Sequence, residues 1–165
     1  MIELIHSKSC LIFGCGNSLF GDDGFGPAVI DCLQADYDLP AYAACIDAGT
    51  AIRDILFDIL LSEKRPRQII IVDSSESAGQ VPGEISEIDV DGINPKKVSD
   101  FSLHQFPTTN MLKEIKSYTN VDVRVLVARA EVIPPEIQPG ISDAVQAAVP
   151  EMCHRVLEII TKEES

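Results

Sequence analysis

Residues 14–29, which read GCGNSLFGDDGFGPAV, form a glycine-rich bend that carries two adjacent acids, Asp22 and Asp23. The apolar run before the bend, residues 10–13, predicts a short buried strand. Beyond the bend, apolar residues recur at helical spacing and predict a helix over residues 24–36. The bend therefore lies at the carboxyl end of a strand, where open α/β sheets bind ligands, so the two acids are candidate site residues.

The same bend invites a nucleotide-binding interpretation, because Gly14-x-Gly16 follows a strand and precedes a helix. The match is incomplete, since Leu19 stands where the dinucleotide fingerprint has its third glycine. A phosphate at the helix N-terminus would also meet the like charges of Asp22 and Asp23. Carboxylates at this edge suit a cation or a proton transfer better. Taken alone, the two acids are explained equally well as residues that compensate the helix dipole.

The size and charge of the chain limit its class. Its 165 residues, 45% of them hydrophobic, are enough for one core, so we expect a single domain over residues 1–165. The balance of 13 basic against 26 acidic residues gives a net charge of -13, which argues against nucleic acid and anionic membrane surfaces as partners. With no apolar run near the length of a membrane span and no signal-peptide pattern, the sequence predicts a cytoplasmic protein.

Five cysteines are scattered along the chain, odd in number and without a C-x-x-C pair: Cys10, Cys15, Cys32, Cys45 and Cys153. This pattern predicts neither a disulfide framework nor a zinc site of familiar spacing. The first, second and fourth lie in or beside apolar runs, where a reduced cysteine behaves as a small buried hydrophobe. Cys15 is singled out because it lies inside the glycine-rich bend.

The remaining periodicity alternates between strands and helices. Further strands are predicted over residues 41–46, 68–72 and 121–128, and residues 84–89 read as an edge strand that could run antiparallel. Helices are predicted after Thr50, from Thr108 or Thr109 to Tyr118, and over residues 142–162 with a kink or a break at Pro150. The expected fold is a three-layer α/β/α sandwich around a mixed, mostly parallel sheet of about five strands.

Polar residues follow the predicted parallel strands at one edge of this sheet. Asp47 ends the second strand and Asp73 ends the third, which places both beside the acids of the first bend. His104 lies in an irregular loop, residues 91–107, that would cover the same edge. Each residue alone has an ordinary explanation; Asp47 and Thr50, for example, can simply end a strand and cap a helix. The joint arrangement is what favours a site.

The order and spacing of several motifs resemble one family, the hydrogenase maturation endopeptidases. The motifs are Gly14-x-Gly16-Asn17, Asp22-Asp23-x-x-Gly26, Asp47-x-Gly49-Thr50, an apolar strand ending in Asp73, Pro82-Gly83, and Ser102-x-His104-Gln105. Members of this family remove a C-terminal extension from the large subunit of a nickel-iron hydrogenase once nickel is inserted. The residues after His104, Gln-Phe-Pro-Thr, depart from the leucine-rich helix start of many members. They are similar to members that mature the deazaflavin-reducing hydrogenases of methanogenic archaea.

The resemblance implies a site and a partner. It assigns Asp23, Asp73 and His104 as metal-contacting and catalytic residues, and we expect the substrate cleft to include Asn17, Asp22, Asp47, Gly49 and Thr50. The implied metal is nickel supplied by the precursor, for which zinc or cadmium would substitute in vitro. The implied partner is the hydrogenase large-subunit precursor, with no nucleic acid and no membrane, and we expect a monomer.

Two carboxylates and one imidazole suit a borderline divalent ion such as nickel or zinc. Hydrolysis would then use either a metal-activated water or the carboxylates as general acid and base, and the sequence leaves both routes open. The chain has no G-x-S-x-G elbow, which weighs against a serine nucleophile. The competing hypotheses are a nucleotide-binding module that uses residues 14–26 and a non-catalytic nickel chaperone.

Overall fold

The computed structural model of the protein describes residues 2–92 and 106–162, and in these ranges one five-stranded sheet carries α-helices on both faces. The strands are β1 (Cys10–Cys15), β2 (Ala43–Gly49), β3 (Gln68–Ser75), β4 (Ile85–Ile88) and β5 (Asp122–Arg129). The helices are α1 (Ile2–Ser7), α2 (Phe25–Asp36), α3 (Ile52–Leu61), α4 (Phe106–Tyr118) and α5 (Asp143–Lys162).

The sheet has the strand order β2-β1-β3-β5-β4. The first four strands in this order are parallel, whereas β4 pairs antiparallel with β5 at the edge. The α/β fold class and the antiparallel edge strand are therefore confirmed. Strand β3 is buried along its whole length, as expected for the uninterrupted Ile-Ile-Ile-Val sequence of a strand that is covered on both faces.

Alternate residues of the strands supply two apolar cores, one on each face. Helices α1, α3 and α4 cover the face that includes Phe13 and Ile71. Helices α2 and α5 cover the opposite face, which includes Ile12 and Ile70. The period-two alternation of side chains along each strand divides the apolar residues between these layers. Over residues 2–92 and 106–162, no helix has both the length and the apolar character that crossing a bilayer requires.

The sheet contains a topological switch point between β1 and β3. The chain leaves β1 to form β2 on one side and then returns to form β3 on the other side. Pairing between β1 and β3 ends at Gly14 and Val72, while β3 continues alongside β5 as far as the Ser75–Arg129 pair. The two central strands therefore separate at their carboxyl ends, which is where open α/β sheets form ligand-binding crevices.

Three strands extend further than the sequence indicates, the first of them β1, which continues past Phe13 to Cys15. Strand β2 continues through Gly49 rather than ending before Asp47, and β3 continues through Ser75 rather than ending at Val72. The extra residues of β3 are polar, yet they pair in register with β5, so Asp73 lies within a strand. The ladder to a neighbouring strand, which a local pattern cannot show, decides where the strand ends.

The helix boundaries also differ from the expectations. Helix α1 was not predicted from the sequence. Helix α3 begins at Ile52, with Ala51 as its N-cap and no side-chain capping bond, so the expectation that Thr50 caps this helix is wrong. Helix α4 begins at Phe106, before the threonines expected to cap it. Helix α5 is one continuous element that contains Pro150. Pro150 lies on the exposed side, where water can solvate the carbonyl that loses its helical donor.

Helix α2 approaches the switch point very closely because of Gly26. A Cβ atom at this position would lie 2.2 Å from the carbonyl oxygen of Cys15 and 2.7 Å from that of Val72. Only a residue without a side chain therefore allows the first turn of α2 to rest on the ends of β1 and β3. This contact fixes the bend between β1 and α2 directly over the point where the strands separate.

Candidate functional site

Three carboxylates lie near enough to the Cys15 thiol, at the carboxyl ends of the central strands, to raise its pKa. Burial raises the pKa of Cys15 well above its ordinary value of 9.0, and the negative charges of Asp73, Asp47 and Asp23 raise this pKa further, in that order. The acids come from three separate segments, namely β3, β2 and the turn after β1. The fold thus brings together the acids that the sequence places after its parallel strands.

Asp23 lies in a short 3-10 turn, Gly21–Gly24, between β1 and α2. Its side chain is half-buried, and its Oδ2 atom accepts a hydrogen bond from the backbone N–H of Asn17 at 2.9 Å. Gly16 makes this compact loop possible, because its φ is +126° and a Cβ there would lie 1.9 Å from the Asp23 carbonyl oxygen. The glycine-rich bend therefore wraps around Asp23 and leaves this carboxylate partly open to the outside.

Asp73 is fully buried within β3. Its Oδ1 atom accepts a hydrogen bond from the N–H of the next residue, Ser74, at 2.8 Å. The hydroxyl of Ser74 is itself buried and has no hydrogen-bond partner among the described residues. Consecutive side chains of a strand point to opposite faces of the sheet, so this hydroxyl is a buried polar position on the other face of β3 from the Asp73 carboxylate.

Asp22 has a different position from the one expected for a cleft residue. Its side chain is fully buried and accepts four hydrogen bonds from the loop that follows β5. Oδ2 accepts from the N–H groups of Glu131 and Val132 at 2.8 and 3.0 Å and from the Ser142 hydroxyl at 2.9 Å. Oδ1 accepts from the Ser142 N–H at 2.7 Å. With no exposed surface, Asp22 does not line the cleft, and it ties this loop to the turn that carries Asp23.

The other expected cleft residues lie at the same edge of the sheet. Asp47 is exposed, and its Oδ1 atom accepts the N–H of Gly49 at 3.0 Å. The carbonyl of Gly49 in turn accepts the N–H of Gly16 at 3.0 Å, which joins the end of β2 to the bend. Thr50 is exposed beside them, and Asn17 is half-buried, with its side-chain oxygen bonded to the N–H of Leu19.

His104 lies outside the described residues, so the structure gives no position for the third expected metal-contacting side chain. Among the residues that the structure does describe, no group of three His, Cys, Asp or Glu side chains has the geometry to hold a metal ion. Of the expected set, the structure describes only the carboxylates of Asp23 and Asp73. Carboxylate oxygens suit hard or borderline divalent ions, so these two side chains are compatible with the expected divalent metal.

The surroundings of Cys15 disfavour its ionised form. A thiol must ionise to attack a carbonyl, and burial beside three carboxylates disfavours the thiolate. The side chain packs in the apolar core on the face covered by α3 and α4. The interpretation of Cys15 as a small buried hydrophobe therefore accounts for its place inside the bend. Cys10 and Cys45 are also buried, and all five cysteines are free thiols.

Two features of the site escape sequence reasoning. The sequence predicts that Ser74 begins a loop, whereas its pairing with Ala128 shows that it lies in β3. The role of Asp22 depends on a loop whose residues lie 109 to 120 positions later in the chain. No local signal distinguishes Asp22 from Asp23, since both occupy the same acidic turn.

Comparison with known proteins gives one consistent result. The family model for hydrogenase maturation proteases matches residues 27–159. A Methanocaldococcus jannaschii protein classed with the hydrogenase maturation proteases is 35% identical over 159 residues, which cover 96% of this chain and all of that protein. The coenzyme F420 hydrogenase subunit delta of Methanothermobacter thermautotrophicus is 33% identical, covering 94% of this chain and 96% of that protein.

A solved structure supports the fold. The hydrogenase maturating endopeptidase HybD from E. coli superimposes with a TM-score of 0.74 at 24% identity, covering 93% of each chain. At this level of identity the similarity concerns the architecture of the sheet and its helices.

Proposed function

Since this chain belongs to the hydrogenase maturation protease family and is therefore a peptidase, we propose that it removes the C-terminal extension of a nickel-loaded hydrogenase large-subunit precursor. In this proposal Asp23, Asp73 and His104 recognise the nickel that arrives with the precursor. The similarity to a coenzyme F420 hydrogenase subunit supports a narrower proposal, that the hydrogenase served is a deazaflavin-reducing one.

The observation that carries the proposal is the convergence of Asp23 and Asp73 at the switch point of the sheet. Both carboxylates act on one thiol, that of Cys15, although they lie 50 residues apart in the chain. Asp73 is buried, whereas Asp23 is half-buried and thus reachable from outside. This pair offers one fixed and one accessible oxygen donor to a cation that enters with another protein.

The charges at the site also indicate the kind of ligand. A phosphate group would be repelled by three carboxylates that lie close enough to raise the pKa of one thiol. A divalent cation would be attracted by the same charges and would have its positive charge compensated. This preference favours a nickel-bearing substrate over the nucleotide considered from the glycine pattern.

The reaction itself adds one water across the scissile peptide bond, and it yields a new C-terminal carboxylate on the large subunit and a free amine on the released tail. A carboxylate of the site that accepts a proton from this water would make it a stronger nucleophile. The nickel of the precursor would hold the scissile segment near the carboxylates and thereby lower the entropic cost of the attack. The protonated, buried thiol of Cys15 takes no part in bond making.

A cleavage assay tests this proposal directly. The protein is incubated with nickel-loaded and with metal-free precursor, and the large subunit is weighed by mass spectrometry. We expect loss of a short C-terminal peptide only from the nickel-loaded form. Asp23→Asn, Asp73→Asn and His104→Gln should each lower the rate by about 100-fold or more, as expected when a group that acts in the transition state is removed.

Asp31→Asn provides a matched control, because Asp31 is an exposed acid on α2, outside the site. Its rate should equal that of the wild type. Cleavage at the wild-type rate in all three site variants would refute the residue assignment. Nickel binding without cleavage would instead support the chaperone hypothesis, and nucleotide binding that survives Asp23→Asn would support the nucleotide hypothesis.

A further inference from the structure

Two loops beside the candidate site are joined along their backbones. They are the first loop, residues 17–24 between β1 and α2, and the second loop, residues 130–142 between β5 and α5. Phe20 and Gln138 form a parallel β-bridge, in which Gln138 donates to the carbonyl of Leu19 at 2.8 Å and Gly21 donates to that of Gln138 at 2.9 Å. The backbone N–H of Asp22 also donates a hydrogen bond to the carbonyl of Val132 at 3.1 Å.

The carboxylate of Asp22 strengthens the same junction with its four hydrogen bonds to the second loop. Hydrogen bonds to a charged group are among the strongest in proteins, and these are buried. The relative position of the two loops is therefore fixed in the folded protein. A surface that is held in place in this way loses little conformational entropy when a partner binds.

Three large apolar side chains on these joined loops are nonetheless exposed. Leu19 is 46% exposed, Val132 is 54% exposed and Ile137 is 68% exposed. The backbone bonds place Leu19 beside the residue that follows Ile137, and place Val132 beside Asp22. We call these three side chains the apolar patch. Single exposed apolar residues are common, but a group on rigid loops next to a site is typical of an interaction surface.

The charged residues within the two loops have one sign. The two loops contain four acids, Asp22, Asp23, Glu131 and Glu136, and neither contains a lysine or an arginine. Glu131 and Glu136 are exposed. A complementary partner segment would therefore present apolar side chains together with basic ones, since like charges opposite these acids would oppose binding.

We propose that the apolar patch binds the segment of the hydrogenase precursor that lies next to the scissile bond, and that this segment carries apolar and basic side chains. The inference rests on the proposed function and adds a substrate-binding surface to it. Asp23 directly follows Asp22, whose backbone N–H donates to the carbonyl of Val132, so the apolar patch lies on the same joined loops as Asp23.

Steady-state cleavage of the nickel-loaded precursor tests this binding surface. The double variant Leu19→Ser/Ile137→Ser should raise KM by about 10-fold or more and leave kcat within about twofold, because it removes contacts that bind substrate and transition state equally. The charge reversal Glu136→Lys is an independent second variant. It should also raise KM, and added salt should reduce its effect.

Leu61→Ser is the matched control, because Leu61 is 66% exposed at the end of α3 and belongs to neither loop. Its KM should be that of the wild type. An unchanged KM in both patch variants would overturn the inference, and so would a KM that rises equally in the control. Failure of the wild-type protein to cleave the precursor would instead contradict the proposed function, so the two failures are distinguishable.

A measurement of the oligomeric state tests the alternative occupant of the apolar patch, which is a second copy of this chain. If the wild type is a dimer in sedimentation and the double variant is a monomer with unchanged KM, a second copy covers the patch and the inference is wrong. If the double variant keeps the wild-type state and its KM rises, the precursor is the occupant.

Discussion

The two edges of the central sheet use polar residues in opposite ways. At the amino edge, the first residues of β1, β3 and β5 pair in register and bond in a row, with the Cys10 thiol donating to Gln68 at 3.4 Å and the Gln68 amide donating to Asp122 at 2.9 Å. At the carboxyl edge, pairing between β1 and β3 ends, and the charges of Asp73, Asp47 and Asp23 raise the pKa of the buried Cys15 thiol.

This difference concerns how the polar groups of each edge are satisfied. The amino edge combines donors with acceptors, so its buried polar atoms satisfy one another. The carboxyl edge concentrates acceptors of one charge around a buried thiol, an arrangement that favours an incoming cation or donor. Breaking either arrangement should therefore have different consequences for stability and for activity.

The largest effect on stability should come from adding a Cβ atom at Gly26, where the first turn of α2 rests on the ends of β1 and β3. Gly26→Ala replaces a helical glycine, a change that by helix propensity alone would stabilise the protein by about 0.5–1 kcal/mol. We expect a destabilisation of about 3 kcal/mol, because the new Cβ would meet backbone atoms of Cys15 and Val72 that cannot move aside. Urea denaturation measures the change.

Gly24→Ala is the control for this substitution, since its nearest neighbour, the Cα of Ser18, would lie 3.0 Å from the new Cβ. It should cost less than half as much. A Gly26→Ala variant as stable as the wild type would show that α2 does not depend on this close contact with β1.

The next largest effect should separate two neighbouring acids of the carboxyl edge. Asp22→Asn should destabilise the protein by about 2 kcal/mol, because an NH2 group replaces one carboxylate oxygen and at least one donor, such as the N–H of Ser142, then loses its acceptor. Asp23→Asn should cost less than about 1 kcal/mol, since this side chain is half-buried, yet it should abolish cleavage. Thermal unfolding and the cleavage assay together provide both readouts. Equal stability of the two variants would contradict the assigned roles.

Alkaline pH should reveal the thiol at the carboxyl edge. The folded protein holds the pKa of Cys15 above its ordinary value of 9.0, so above that pH the unfolded chain releases a proton that the folded state keeps. Stability should therefore be unaffected by this group below about pH 8 and fall by about 1.4 kcal/mol per pH unit as pH rises beyond the unfolded pKa. Urea denaturation under reducing conditions at about pH 8 and about pH 10 measures the decline.

Cys15→Ala isolates the contribution of this thiol, because Cys153, whose burial raises its pKa to about 12, and Cys45, whose pKa is also raised, remain in the variant. The decline of stability with pH should be shallower in Cys15→Ala than in the wild type. Identical slopes would mean that Cys15 ionises as readily in the folded protein as in the unfolded one.

The smallest effects should come from one neutral polar side chain at each edge. Gln68→Met removes two bonds at the amino edge and should cost about 1 kcal/mol with no change in cleavage rate. Ser74→Ala removes a buried hydroxyl at the carboxyl edge that has no partner among the described residues, so stability should change by less than about 0.5 kcal/mol or increase slightly. If Ser74→Ala costs as much as Gln68→Met, the two edges do not differ in this respect.

Local sequence patterns were sufficient for much of the architecture. The Ile-Ile-Ile-Val run of β3 predicts a strand covered on both faces, because such a strand has apolar residues at consecutive positions. The helical period after the glycine bend predicts α2, because a helix buried on one side has apolar residues at every third or fourth position. The weaker alternation of β4 and the absence of a helix before it correctly indicate an antiparallel edge strand. Parallel strands with acids at their ends also predict the edge at which Asp23, Asp47 and Asp73 meet.

Long-range pairing and packing settled what the pattern left open. The polar end of β3 is a strand because β5 lies beside it, and Asp22 and Asp23, identical and adjacent in sequence, differ because a loop more than 100 residues later covers only the first. Periodicity records which face of an element is buried, whereas the partner of a buried carboxylate depends on where distant segments come to lie. For this protein, the order of residues was enough to predict the edge of the sheet at which these acids lie, and the folded loops decided which acid of the pair is buried and which one is partly exposed.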